Sequence, residues 1–161
     1  MINVTMATII GLKMTTLTLP DFYDYTVKST NTIIMKSKSI LDLVLRIVPA
    51  AILLQTLYFK FSGAPESIFI FKTLGLEPMG RIGLGVVELI VAILILIPKT
   101  TWIGAILGVG IMSGALFSHI TKLGIVVQND GGTLFTLALV TFIFCVILVW
   151  KNRIQIPFVN N

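Results

Sequence analysis

The sequence predicts an all-α fold, an integral membrane four-helix bundle with a short interfacial helix between spans 1 and 2. Of the 161 residues, 56% are apolar and only 12% are charged, and the mean hydropathy is +1.00, which is well above the value for a soluble domain. Each of four apolar blocks is close to the roughly 17 to 25 residues that cross a bilayer as a helix. The blocks are residues 40–59, 82–98, 102–118 and 133–150.

The N-terminal segment has a different character. Residues 1–34 are a mixed polar stretch whose longest apolar piece is interrupted by Lys13, so it lacks the continuous apolar core of a signal peptide. We expect a polar, unstructured N-terminal tail there. Met35 begins a basic run that leads straight into the first span, and it is an alternative start of the chain. The four-span domain then covers 35–157, followed by a C-terminal tail at 158–161.

A short helix is expected between the first two spans. Pro65 and Glu66 are residue types typical of a first helical turn, and Gly75 is typical of a helix end. The apolar residues between them are too few to cross a bilayer. We therefore expect this helix to lie at the membrane interface.

The third block carries small residues at helical spacing. Gly104 and Gly108 form one GxxxG pair, and Gly110 and Gly114 form another near the opposite face. Such pairs let transmembrane helices approach closely. We expect this helix to be packed on both sides, and the two faces are candidate surfaces for partner helices or for a homo-oligomer.

The balance of charge is basic, with a net charge of +5. In a membrane protein this reflects orientation and anionic headgroups rather than a nucleic-acid partner. Placing both termini in the cytoplasm puts seven basic residues on that side against four on the other. The seven are Lys13, Lys28, Lys36, Lys38, Lys99, Lys151 and Arg153, and the four are Lys60, Lys72, Arg81 and Lys122.

Intrinsic metal or thiol chemistry is not expected. The chain has one cysteine, Cys145, and one histidine, His119, so it cannot build an intramolecular disulfide, a CxxC redox pair or a multi-histidine metal site. No metal ligands and no intrinsic cofactor are predicted. Redox chemistry would have to use a borrowed cofactor.

Ionisable residues inside spans are the first functional candidates, because an unpaired one costs several kcal/mol. Arg46 lies roughly 9 Å into its span and Glu88 roughly 13 to 14 Å into its own, measured from the same membrane face at about 1.5 Å per residue. One interpretation is a structural Arg46–Glu88 pair, with Asp42 supporting Arg46. The other is that Glu88 is a protonatable group or ligand contact in a cavity.

Further candidates lie near the opposite membrane face. His119 ends the third span at a depth similar to that of Tyr58 and Lys60. Its small-residue face would suit either helix packing or a flat ring such as a quinone head. We take Glu88 and His119 as candidate catalytic residues. The candidate ligand-binding residues are Arg46, Gln55, Tyr58 and Lys60.

Several motifs occur together in the order found in a known family. They are Arg46 early in the first span, the Lys60–Phe61 exit, LGLEPMGRIGLGVVELIVAILILIPKTTWIGA around Glu88, His119 after the third span, and GGTLFTLALVTFIFCVILVWKN. On these features, residues 36–157 resemble the DoxX family of small four-span membrane proteins.

The resemblance implies a four-helix bundle in the bacterial cytoplasmic membrane. It also implies a link to quinone-coupled oxidation, because the related DoxD proteins form the large subunit of a thiosulfate:quinone oxidoreductase. Glu88 and His119 would then line a polar cavity reached from the bilayer, with Arg46 and Lys60 as positive groups near it. A bound quinone and a redox partner subunit are the cofactor and partner it suggests. The alternative is a non-enzymatic membrane adaptor or assembly protein that recruits partner helices.

Overall fold

The computed structural model describes residues 19–155, and every regular element in that range is helical, which confirms the all-α class. A π-helical turn, His119–Leu123, follows α4, and a 3₁₀ turn, Arg153–Gln155, follows α5. The five α-helices are α1 Leu19–Ser62, α2 Pro65–Thr73, α3 Met79–Leu96, α4 Thr101–Ser118 and α5 Thr133–Lys151.

The chain divides into two compact units after Leu41, and the N-terminal unit differs from the expected tail. Residues 19–34 are helical rather than unstructured. No glycine interrupts α1, and Pro20 lies in its first turn, where the missing amide is tolerated. The hydroxyls of Thr26, Thr30 and Thr32 donate to carbonyls three or four residues earlier. Residues 1–18 and 156–161, including the expected C-terminal tail, lie outside the described range.

Four helical segments are long and apolar enough to cross a membrane. They agree with the four predicted blocks, and their outer faces carry exposed aliphatic residues such as Ile47, Ile90 and Ile143. Exposed side chains of this type on helices are typical of contact with lipid. The chain is therefore of the integral membrane type. The four segments are Ser39–Ser62, Met79–Leu96, Thr101–Leu123 and Thr133–Lys151.

The two glycine pairs of α4 have different surroundings. A Cβ at Gly104 would lie 2.7 Å from the backbone nitrogen of Ile95 on α3, and one at Gly108 would lie 2.7 Å from Sγ of Cys145 on α5. Nothing lies within 4 Å of a Cβ at Gly110 or Gly114. The first pair thus brings α4 against its own neighbours, whereas the second faces away from them.

Buried residues from all four long helices form one hydrophobic cluster. It includes Leu53 of α1, Val91 of α3, Ala105 of α4 and Cys145 of α5, each almost fully enclosed. This cluster fixes the relative positions of the helix faces that carry the ionisable residues.

The expected short helix exists as α2. Pro65 occupies its first turn, and Gly75 has a φ of +74° just after its end. The amide of Leu76 donates to the carbonyl of Phe71 at 2.8 Å, and that of Gly75 donates to the carbonyl of Lys72 at 3.0 Å. This pair of bonds is the Schellman arrangement, which favours glycine because of the positive φ. Its location at the membrane interface stays a prediction.

Candidate functional site

Glu88 lies midway along α3, and its carboxylate contacts two donors from α1. Oε2 is 2.8 Å from Nζ of Lys60 and 2.9 Å from Oγ1 of Thr56. The side chains of Glu88 and Lys60 are only 4% and 12% exposed. Because a buried charge is stable only when it is paired and hydrogen-bonded, this arrangement keeps a carboxylate inside an apolar helix pair.

A glycine allows these two helices to meet. A Cβ at Gly85 would lie 3.2 Å from Cζ of Phe61 and 3.6 Å from Cβ of Lys60. Gly85 precedes Glu88 by nearly one helical turn, so it shares the face that turns towards α1. The small residue therefore brings the last turn of α1 within reach of the carboxylate.

The two oxygens of Glu88 are in different environments. Both donors meet at Oε2, and no hydrogen bond among residues 19–155 reaches Oε1. Oε1 is not among the fully enclosed, unpartnered side-chain atoms of that range, so it keeps some accessible surface. One oxygen holds the helices together, and the other can accept a proton or a hydrogen bond.

A second ion pair holds the same end of α1. The guanidinium of Arg81 contacts the carboxylate of Glu77, with Nε 2.9 and 3.0 Å from the two oxygens and Nη2 2.9 Å from Oε1. Its Nη1 donates to the backbone carbonyl of Lys60. Lys60 is thus held at its ammonium group by Glu88 and at its carbonyl by Arg81.

The expected Arg46–Glu88 pair is replaced by these contacts. Nε of Arg46 donates to the backbone carbonyl of Asp42 at 3.2 Å, and the Asp42 carboxylate pairs with Lys151. Thr56, which does reach Glu88, lies roughly 15 Å further along the helix axis than Arg46, at about 1.5 Å per residue. That separation exceeds the reach of an arginine side chain.

The other candidate ligand-binding residues differ in placement. Lys60 belongs to the Glu88 cluster, whereas Gln55 is exposed and Tyr58 is 73% exposed, with its ring edge-on to Phe59. Their predicted role in binding remains a prediction. Sequence reasoning missed Thr56 and the Glu77–Arg81 pair, although the i,i+4 spacing of the latter is a recognisable signal for an ion pair.

His119 occupies a separate polar environment at the end of α4. The residue is 6% exposed, begins the π-helical turn, and packs edge-on against Phe135 at 5.7 Å between ring centres. Its Nδ1 is 2.8 Å from the carbonyl oxygen of Gly124. Because a carbonyl only accepts, Nδ1 is the donor in this bond. No described residue bonds Nε2.

The loop beyond His119 is organised by one carboxylate. Asp130 accepts hydrogen bonds from the amides of Val127 and Gly132 through Oδ1, and from Leu134 through Oδ2. Burial by itself would raise the pKa of Asp130, but the three backbone bonds and the nearby His119 together hold that pKa below its ordinary value of 3.8. The ionised carboxylate therefore fixes the loop from Val127 to Leu134.

These features define an integral membrane protein of four apolar spans with a paired carboxylate between its first and second spans. No protein-family model, no curated protein and no solved structure matches the chain. Within residues 19–155, no group of three or more His, Cys, Asp or Glu side chains is arranged to hold a metal ion.

Proposed function

We propose that the protein is a DoxX-like membrane subunit of a quinone-linked oxidoreductase in redox or sulfur metabolism. In this proposal the four spans form a bundle in the bacterial cytoplasmic membrane, with both termini in the cytoplasm and α2 on the membrane surface. The hydrophobic cluster shared by the four spans supports the bundle. The resemblance of residues 36–157 to the DoxX family supports the class of reaction.

The observation that carries the proposal is the Glu88 carboxylate with Lys60 and Thr56 on one oxygen and the other oxygen unbonded. A quinone head carries carbonyl oxygens, which need donors such as an ammonium or hydroxyl group nearby. A bound quinone would supply two-electron chemistry coupled to proton uptake. The residues present fit such a head, because donors and a proton-accepting oxygen lie together beside lipid-facing helices.

Each residue has a defined part in the proposed site. Glu88 would hold a proton at Oε1, beside the position of the ring. Lys60 stabilises the ionised carboxylate and would orient the ring through its remaining ammonium protons. The Thr56 hydroxyl lies 2.8 Å from the carbonyl of Leu53 as well as 2.9 Å from Glu88, so its proton can move between the two acceptors when the carboxylate is neutralised. His119 remains a second candidate catalytic residue.

Quinone analysis of the protein purified in mild detergent tests the proposal. We expect about one quinone per chain in the wild type and at least tenfold less in Glu88→Gln, because the neutral amide no longer holds the Lys60 ammonium group in place as a donor to the ring. Glu66→Gln is the matched control, since Glu66 is exposed on α2. His119→Ala tests the second residue. Quinone at the membrane background in the wild type would contradict the proposal.

The open face of α4 favours a second candidate, a non-enzymatic membrane adaptor. No atom of the described residues lies within 4 Å of a Cβ at Gly110 or Gly114, and a partner helix can approach closely over two glycines at this spacing. The face of Gly104 and Gly108, in contrast, is already covered by α3 and α5.

Native electrophoresis of solubilised membranes tests the adaptor. Gly114→Leu is expected to lower the amount of any complex larger than the monomer at least tenfold, because the added side chain separates the two helices. Gly83→Leu on α3 is the control, since a Cβ at Gly83 also meets nothing within 4 Å. Complexes that survive Gly114→Leu unchanged would argue against an adaptor that uses this face.

A further inference from the structure

A second group of buried polar side chains lies near the end of α4. Its members are not among the residues that contact Glu88. The short helix α2 packs against both α3 and the π-helical turn that begins at His119. Ser67 and Phe71 are the buried residues of α2, so they lie on the face that α2 turns towards these neighbours. His119 and Ser67 are each 6% exposed.

Each of these two side chains has an unused hydrogen-bonding group. Nε2 of His119 has no hydrogen-bond partner among the described residues, because the bond to the Gly124 carbonyl uses Nδ1. No described residue bonds the Ser67 hydroxyl, and neither atom is among the fully enclosed unpartnered atoms of residues 19–155. Both atoms therefore keep some accessible surface. Buried polar groups are normally paired, so two unused groups on adjoining elements point to a ligand.

We propose that Nε2 of His119 and the hydroxyl of Ser67 together bind a hydroxyl group of an amphiphile in the membrane. The ligand hydroxyl donates to Nε2 and accepts from Ser67. Phe135, edge-on to the histidine at 5.7 Å, adds an apolar wall suited to the rest of such a molecule. A hydroquinone ring and a phosphatidylglycerol headgroup both carry the required hydroxyl. The site stands independently of the proposed role of Glu88.

The single histidine of the sequence makes the test specific. In full-length protein labelled with ¹⁵N-histidine and placed in phosphatidylcholine nanodiscs, both ring signals belong to His119. We expect the Nδ1–H tautomer before any addition. We then expect decylhydroquinone to move the Nε2 resonance, whereas the corresponding decylquinone, which has no hydroxyl to donate, leaves it in place. A hydroquinone response identifies the ring as the source of the hydroxyl.

Replacing phosphatidylcholine with phosphatidylglycerol is the second arm. Movement of Nε2 in that lipid alone also supports the site and identifies the headgroup as the source. No movement in either arm, or an Nε2–H tautomer in the unliganded protein, would overturn the proposal.

Two variants test the partner residue. Ser67→Ala is expected to raise the ligand concentration needed for the Nε2 response about tenfold, which corresponds to one lost hydrogen bond. Ser113→Ala is the control, because that exposed hydroxyl bonds the carbonyl of Val109 on its own helix. An unchanged response in Ser67→Ala would overturn the two-residue site. A response that persists in Glu88→Gln separates this site from the proposed quinone reaction.

Discussion

Lys60→Met is expected to lower the free energy of unfolding by about 3 to 5 kcal/mol, the usual effect of removing one partner from a buried ion pair. Without the Lys60 ammonium group, the Glu88 carboxylate, whose side chain is only 4% exposed, has no counter-charge. The Thr56 hydroxyl alone cannot compensate, because it has one proton and a second acceptor in the Leu53 carbonyl. The loss would be measured by unfolding in mixed micelles.

The double variant Lys60→Met/Glu88→Leu provides the decisive comparison. It replaces both charges with apolar side chains of similar size, which is often neutral for stability. We expect it to recover most of the stability lost in either single variant, giving a coupling energy of about 2 kcal/mol or more. Lys72→Met, at an exposed position on α2, should change stability by no more than about 0.5 kcal/mol. Additive effects of the two single substitutions would contradict a direct Lys60–Glu88 interaction.

Gly104→Leu is expected to destabilise the fold by about 3 kcal/mol or more, the upper range for overpacking a well-packed interior. Its Cβ would lie 2.7 Å from the backbone nitrogen of Ile95 and 2.9 Å from Cβ of Leu94. A backbone atom cannot rotate away, so α3 and α4 would have to separate. We therefore expect little folded protein in this variant.

The only cysteine in the sequence provides the measurement. Cys145 is fully buried on α5, so the rate at which a thiol-reactive dye labels it reports separation of the helices. Gly104→Leu should label at least tenfold faster than the wild type. Gly110→Leu, which adds the same side chain where nothing lies within 4 Å, should label at the wild-type rate. Equal protection of Cys145 in both variants would contradict the close approach at Gly104.

The number and approximate limits of the spans could be predicted from the sequence, because an apolar run of bilayer length has few other uses. The same reasoning identified Glu88, since an ionisable residue inside such a run needs a partner. The partner itself could not be found this way. The choice between Arg46 and Lys60 depends on how far along α1 the approach to α3 occurs, and that point is set by Gly85.

Other parts of the chain carried weaker signals. The helical residues 19–34 are rich in threonine and charge, which favours no single structure, and their threonine hydroxyls bond the backbone of the same helix. The loop after His119 depends on one side chain, Asp130, accepting three backbone bonds. An aspartate before two glycines is a general turn signal, and it does not identify this carboxylate as the acceptor of three backbone amides. Short-range composition therefore predicted the spans and the short helix α2, but not the helical residues 19–34 or the loop after His119.

Lys60 is held at two points, and only the contact of its ammonium group depends on the charge of Glu88. A proton arriving at Glu88 would weaken the attraction for the ammonium group, but Arg81 would still hold the Lys60 carbonyl through a contact that does not involve Glu88. The last turn of α1 would consequently stay in place while only the lysine side chain changed its position. Under the role proposed for Glu88, the charge of this carboxylate would therefore change at a helix junction that stays attached, without the rocking of helices that alternating-access transport requires.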